Sequence, residues 1–185
     1  SRSQNSLGEM RYTGNVGYTN GNSKCPGCLG PHFSDKHPSC SIITCCVKKR
    51  HYETCAECID FPCSKLKGWD CMDSFVTHRR AIENLHLIHK NGLSSFIQQQ
   101  KFRIDLLERL LNQYDDGKSK SFYCLAAALL PIEDIERAIP ILKPTAPDHA
   151  TSMSFALSFK ERLRNIADSK GIELSYRKKQ AQQCD

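Results

Sequence analysis

The sequence predicts a mainly α-helical protein. An irregular, metal-stabilised, cysteine-rich N-terminal module docks on a four- or five-helix bundle, with one short C-terminal strand as an option. Three observations lead there. Nine of the eleven cysteines fall between Cys25 and Cys71. From Asp73 onward apolar residues recur at helical spacing. Glycine and proline then interrupt that periodicity where turns are needed. The resulting division is an irregular lead over 1–24, a metal-binding module over 25–71, and a helical domain with a polar C-terminal tail over 72–185.

The lead is rich in Ser, Asn and Gly, with no apolar stretch and no periodicity. It shows no secretory leader, which predicts a cytoplasmic protein. The longest apolar run, Phe122 to Ile132, is shorter than the ~20 residues of a membrane span. No membrane association is therefore expected.

The cysteine run reads Cys25-x2-Cys28, Cys40-x4-Cys45-Cys46, Cys55-x2-Cys58-x4-Cys63, then Cys71. A Cys-x2-Cys turn lets two sulfurs reach one ion at about 2.3 Å, as in tetrahedral zinc knuckles. Disulfides would need an oxidising compartment, and eleven cysteines cannot all pair within one chain. The module has few large apolar residues, so the metal is expected to supply its order. The formal net charge of +6 counts every cysteine as neutral. Eight thiolates around two zinc ions would reduce it, which weakens the case for a nucleic-acid binder. Lys48, Lys49, Arg50 and His51 sit beside the sulfurs and would stabilise thiolates or contact phosphate.

The helical part follows in order. Phe75, His78, Ile82, Leu85, His86 and His89 share one face of a first helix starting near Asp73, stopped by Asn91-Gly92. A second helix runs from about Ser94 to Tyr114, with Phe96, Ile97, Ile104, Leu107, Leu110, Leu111 and Tyr114 inward and Gln100 as the polar intruder. Ser119–Leu130 reads as a short, nearly all-apolar helix central to the core. Pro131 suits the start of the next, with Glu133 and Asp134 matching its dipole. Pro140, Pro144 and Pro147 make a stiff connection. The last helix spans about His149 to Ser169, capped by Asp148 and stopped by Gly171. Ile172, Leu174 and Tyr176 alternate briefly like a strand.

The strings Cys25-Pro-Gly-Cys28, Cys40-Ser-Ile-Ile-Thr-Cys45 and Cys55-Ala-Glu-Cys58-Ile-Asp-Phe-Pro-Cys63-Ser-Lys-Leu66 resemble the cysteine signature of the prokaryotic domain of unknown function 3795 family. Tyr114 to Pro131 and Lys170 to Leu174 resemble segments of its longer members, so the resemblance spans roughly residues 24–178. It implies a cytoplasmic, metal-binding prokaryotic protein without an agreed function. Family members carry further cysteines upstream, where this chain has none.

Cys25, Cys28, Cys40, Cys45, Cys55, Cys58 and Cys63 match that signature, and two four-ligand zinc sites need an eighth ligand. Cys71 is the first choice. Cys46 is set lower, because adjacent cysteines share an ion poorly; His51, His37 and His32 are further options. A sequential pairing would join Cys25, Cys28, Cys40 and Cys45, then Cys55, Cys58, Cys63 and Cys71; a crossed one would join the two knuckles. An iron–sulfur cluster is the alternative occupant.

Other residues carry weaker signals. His78, His86 and His89 read as core or partner-satisfied histidines before ligands. Cys124 reads as core packing. Lys118, Ser119, Lys120 and Ser121 precede an apolar helix and form a candidate anion site; the simpler role is a capped helix start. No Ser-His-Asp set, glycine-rich nucleotide loop or paired-carboxylate motif stands out. The expectation is a non-enzymatic protein whose zinc is structural and which binds a protein or nucleic-acid partner. The alternative is an iron–sulfur redox protein or metalloenzyme.

Overall fold

The structure is a computed structural model that describes residues 40–71, 73, 77–139 and 149–177. The lead, Cys25, Cys28, His32, His37, the proline-rich connection with Asp148, and the end of the tail lie outside the described residues. What is described is mainly helical, as expected. In chain order the helices are α1 (Ser41–Ile43), α2 (Ala81–Asn91), α3 (Leu93–Tyr114), α4 (Lys120–Leu129), α5 (Ile132–Ala138) and α6 (His149–Ser169). No strand occurs among the described residues, and Ile172–Tyr176 is irregular. The chain divides into two compact units, with the boundary inside α3 between Lys101 and Phe102; Arg177 belongs with the first.

In the first unit, α1 runs directly into a π-helical stretch, Thr44–Lys49. Two 3-10 turns follow, Cys55–Glu57 and Ser64–Leu66. The cysteine-rich segment is more apolar inside than its composition suggests. Ile42, Ile43, Cys46, Cys55, Ala56 and Leu66 are buried in one cluster with Leu85 and Ile88 of α2 and Phe96 of α3. At about 25 cal/mol per Å² of apolar area, such a cluster gives the segment a source of order besides a metal.

Helix α2 begins at Ala81, eight residues later than periodicity indicates. The reason is Asp73. Its carboxylate accepts the backbone N–H of His78 (3.2 Å) and of Arg177 (2.8 Å), and pairs with Arg79 (2.7 Å). A side chain that takes up backbone donors in this way competes with helix. His78 thus stands before the helix and packs its ring on Trp69, with centroids 5.1 Å apart. Burial lowers the His78 pKa, against the charge of Asp73, which raises it. Gly92, at φ +83°, separates α2 from α3, a backbone region that L side chains rarely enter.

In the second unit the buried face of α3 carries Ile104, Leu106, Leu107, Leu110 and Tyr114. Tyr114 stacks on Phe155 of α6 (5.9 Å) and packs tilted against Phe159 (4.2 Å), and the Tyr123 hydroxyl donates to the Tyr114 carbonyl at 3.0 Å. Phe159, Leu163 and Ala167 are the buried stripe of α6. Arg103 also lies on the inward face, 3% exposed. Its guanidinium donates to the carbonyls of Ala127 (2.6 Å) and Leu130 (2.9 Å). Those are carbonyls at the end of α4, which lack partners within the helix.

Candidate metal centre

The site starts from the shape of one turn. An α-helix closes i→i+4 bonds; the Thr44–Lys49 stretch instead closes i→i+5, with Arg50 N–H on the Cys45 carbonyl at 3.2 Å. Tyr52 N–H then reaches the Cys46 carbonyl at 3.0 Å across His51, which has a positive φ of 57°. The wider turn lets the adjacent Cys45 and Cys46 border the same cleft. Single π-turns of this kind recur at functional sites.

Cys55 enters from the other side on its 3-10 turn. A reciprocal cap fixes that turn: Thr54 N–H donates to Glu57 Oε1 at 2.6 Å, and Glu57 N–H to the Thr54 carbonyl at 3.3 Å. The Cys58-x4-Cys63 loop closes the third side. Phe61, at its centre, lies edge-on to His86 of α2 with ring centroids 4.8 Å apart. His89 Nδ1 is 2.9 Å from the Ala56 carbonyl, a second tie between α2 and the segment. The Phe61–Pro62 peptide is cis.

Together these elements place Cys45, Cys46, Cys55, Cys58 and Cys63 on one cleft, partly open to solvent, with Ile42, Tyr52, Phe61 and Leu66 among its walls. Arg50 lies across the mouth. One of its nitrogens is 2.9 Å from Cys58 Sγ and the other 2.5 Å from Asp60 Oδ2. The bond to Asp60 and the neighbouring Cys58 sulfur raise the Arg50 pKa, so its charge is secure. Cys46 and Cys55 both line the cleft. Interaction with Cys55 lowers the Cys46 pKa, against burial and Glu57, and interaction with Cys46 raises that of Cys55, where burial acts in the same direction. The Cys46 thiol is also 3.8 Å from the Tyr52 carbonyl.

Four of the expected ligands therefore share the cleft: Cys45, Cys55, Cys58 and Cys63. Cys40 does not. It precedes α1, accepts the Thr44 N–H on its carbonyl, and packs against the apolar cluster. Cys71 is half-buried on a turn to Gly68, away from the cleft lining. Cys25 and Cys28 lie outside the described residues. Cys46, set lower by sequence, is a full member of the lining. Its signal was the Cys45-Cys46 doublet, whose directions depend on a π-turn that periodicity does not reveal. None of the described histidines lines the cleft. Among the described residues no three such donors are already close enough to share an ion. The donor set is gathered but open. Its chemistry suits a soft or borderline metal, since every candidate donor is a thiol.

Residues 2–68 match a family model described as a protein of unknown function, DUF3795. That segment, just over a third of the chain, is similar to the DUF3795 family. The match starts and ends earlier than the stretch 24–178 that the motifs bring to mind, and it contains all five cleft cysteines while stopping short of Cys71. No curated protein and no solved structure matches the chain. No helix among the described residues is long and apolar enough to cross a membrane.

The other candidate site lies in the second unit. Ser119 occupies the N-cap position of α4, so the Lys118–Ser121 turn stands at a helix N-terminus. Asp116 accepts the Lys118 N–H at 2.9 Å, and Lys160 donates to the Ser119 hydroxyl at 2.5 Å while standing 4.0 Å from Asp116. Hydrogen bonds from Ser119 and Lys118 lower the Asp116 pKa. The negative charge that a helix N-terminus favours is already supplied by Asp116. Lys118 points to solvent and Lys120 is half-buried. Cys124 is half-buried too, and burial raises its thiol pKa.

Proposed function

We propose that the DUF3795 segment is a thiolate metal-binding module, with Cys45, Cys55, Cys58 and Cys63 as ligands of one zinc ion and Cys46 beside them. The observation that carries this reading is that cysteines from three separate local elements line one cleft. Four thiolates are the donor set of closed, structural zinc sites; they also hold iron–sulfur clusters. An ion here would be structural, tying the π-turn, the Cys55–Glu57 turn and the Cys58–Cys63 loop together. Arg50 would offset part of the negative charge of four thiolates at the mouth of the site. A second ion, in the two-zinc reading, draws on Cys25 and Cys28.

With all four positions filled by protein there is no place for a catalytic water, so the module acts by binding a macromolecular partner in a prokaryotic cytoplasm. The exposed Ile59, between Cys58 and Cys63, and Lys48 and Lys49 beside the cleft are the residues a partner would meet first. The test is a cobalt titration of the reduced, metal-free full chain under nitrogen. Tetrahedral cobalt–thiolate absorption that disappears when zinc is added supports the reading. A chain that develops no such absorption refutes it.

A further inference from the structure

We propose that His86 and His89 of α2 are positioning residues that hold the Cys55–Glu57 turn and the Cys58–Cys63 loop in place before a metal binds. The proposal rests on the zinc reading given above. The two histidines stand one turn apart on α2 and so share a face of the helix. On the adjoining side, Leu85 and Ile88 are buried in the apolar cluster with Cys46 and Cys55, which seats α2 against the cysteine-rich segment. Both imidazoles are exposed at the edge of that packing.

His89 holds the turn that carries Cys55. The carbonyls of Thr54 and Cys55 accept the N–H groups of Glu57 and Cys58. The next carbonyl, that of Ala56, lies 2.9 Å from His89 Nδ1. A carbonyl brings no proton, so Nδ1 carries the hydrogen and donates it, which fixes how the ring is turned. Ala56 is 1% exposed, and its carbonyl would lose this partner in a place where a lost hydrogen bond is costly.

His86 holds the loop between Cys58 and Cys63. Its ring meets Phe61 edge-on at 4.8 Å, and the His89 ring is 6.5 Å from the same side chain. Phe61 in turn is part of the cleft wall. Neither imidazole lines the cleft, so each acts through the group it holds and not as a ligand. Ligands set in advance give up less conformational freedom when an ion arrives. Outer partners of this kind are worth roughly ten- to hundredfold in metal affinity.

The test follows the full chain, reduced, freed of metal and kept under nitrogen. Without metal, hydrogen exchange over residues 54–63 should quicken in His89→Ala. It should return to the wild-type rate in His89→Asn, whose amide N–H stands where Nδ1–H stood. Cobalt titration against a competing chelator should give about tenfold weaker binding for His89→Ala, with His89→Asn close to wild type. His86→Ala should weaken binding by a smaller factor, and His86→Phe, which keeps an aromatic ring against Phe61, should not. The cobalt–thiolate bands should hold their positions throughout, because no ligand changes. Exchange and affinity unchanged in His89→Ala, or His89→Asn as weak as His89→Ala, would overturn the proposal. So would bands that shift when a histidine is removed, the mark of a ligand. A wild-type chain without cobalt–thiolate absorption fails the zinc reading itself, while hydrogen exchange still decides whether the histidines hold the two elements.

Discussion

Replacing Asp73 by Asn removes the charge from a buried staple without changing its shape. The Asp73 side chain is fully buried and that of Arg79 is 8% exposed, with the carboxylate 2.7 and 3.2 Å from two guanidinium nitrogens. It also accepts the N–H groups of His78 and Arg177. Taking one partner from a buried ion pair costs about 3–5 kcal/mol, because the other charge stays in a poor solvent. Asparagine keeps one acceptor oxygen for the backbone donors, which places the expected loss near the lower end, about 3 kcal/mol. For a chain of this size that is a fall of about 6–12 °C in melting temperature. The pH dependence gives a second, independent reading. Burial alone would raise the Asp73 pKa, but the bonds from Arg177, Arg79 and Thr77 outweigh it and hold it below the usual carboxylate value. As pH falls, the unfolded chain therefore takes up this proton first, at about pH 4. The staple's contribution is complete above that pH and is lost as pH drops through the lower folded value. Urea unfolding followed by circular dichroism at pH 7 and near pH 3 checks both parts. The gap between wild type and Asp73→Asn should be about 3 kcal/mol at pH 7 and should narrow in acid. A gap under about 0.5 kcal/mol at pH 7, the size of an ordinary surface change, or one that is constant with pH, would refute the argument.

Two further stability predictions follow from the same physics. His78 is held neutral by burial, so the unfolded chain protonates first as pH falls below about 6.5; stability should begin to drop there, and His78→Gln should flatten that part of the profile. Arg103→Met leaves the Ala127 and Leu130 carbonyls without the guanidinium and should cost about 2–4 kcal/mol in denaturant unfolding, against no measurable loss for exposed Arg162→Met.

The helical part was largely legible because its signals are local. Gly92, Gly117, Pro131 and Gly171 mark ends that the structure keeps within a residue or two. The start of α2 was not, because it depends on Asp73 meeting Arg177, a contact more than a hundred positions away. Spacing named Cys45, Cys55, Cys58 and Cys63 among its candidates, and the structure sets those four on one cleft, since a Cys-x2-Cys turn and a short loop are local geometry. It could not place Cys46 or exclude Cys40 from the cleft. Those outcomes depend on a π-turn that reorients one thiol and an apolar cluster that draws in another. Arg103 escaped notice for a related reason. A charged residue on an apolar face reads as an intruder until the carbonyls it serves are in view.

The measurement closest to the central claim is metal stoichiometry across single Cys→Ser variants of the full chain, purified under nitrogen, with the sulfur coordination number read by X-ray absorption. The expected result is zinc in a sulfur-only shell, lost by one ion per chain in Cys55→Ser and Cys58→Ser and retained in Cys71→Ser. Wild-type protein without bound metal, or a variant series in which Cys71 matters and Cys55 and Cys58 do not, would contradict it.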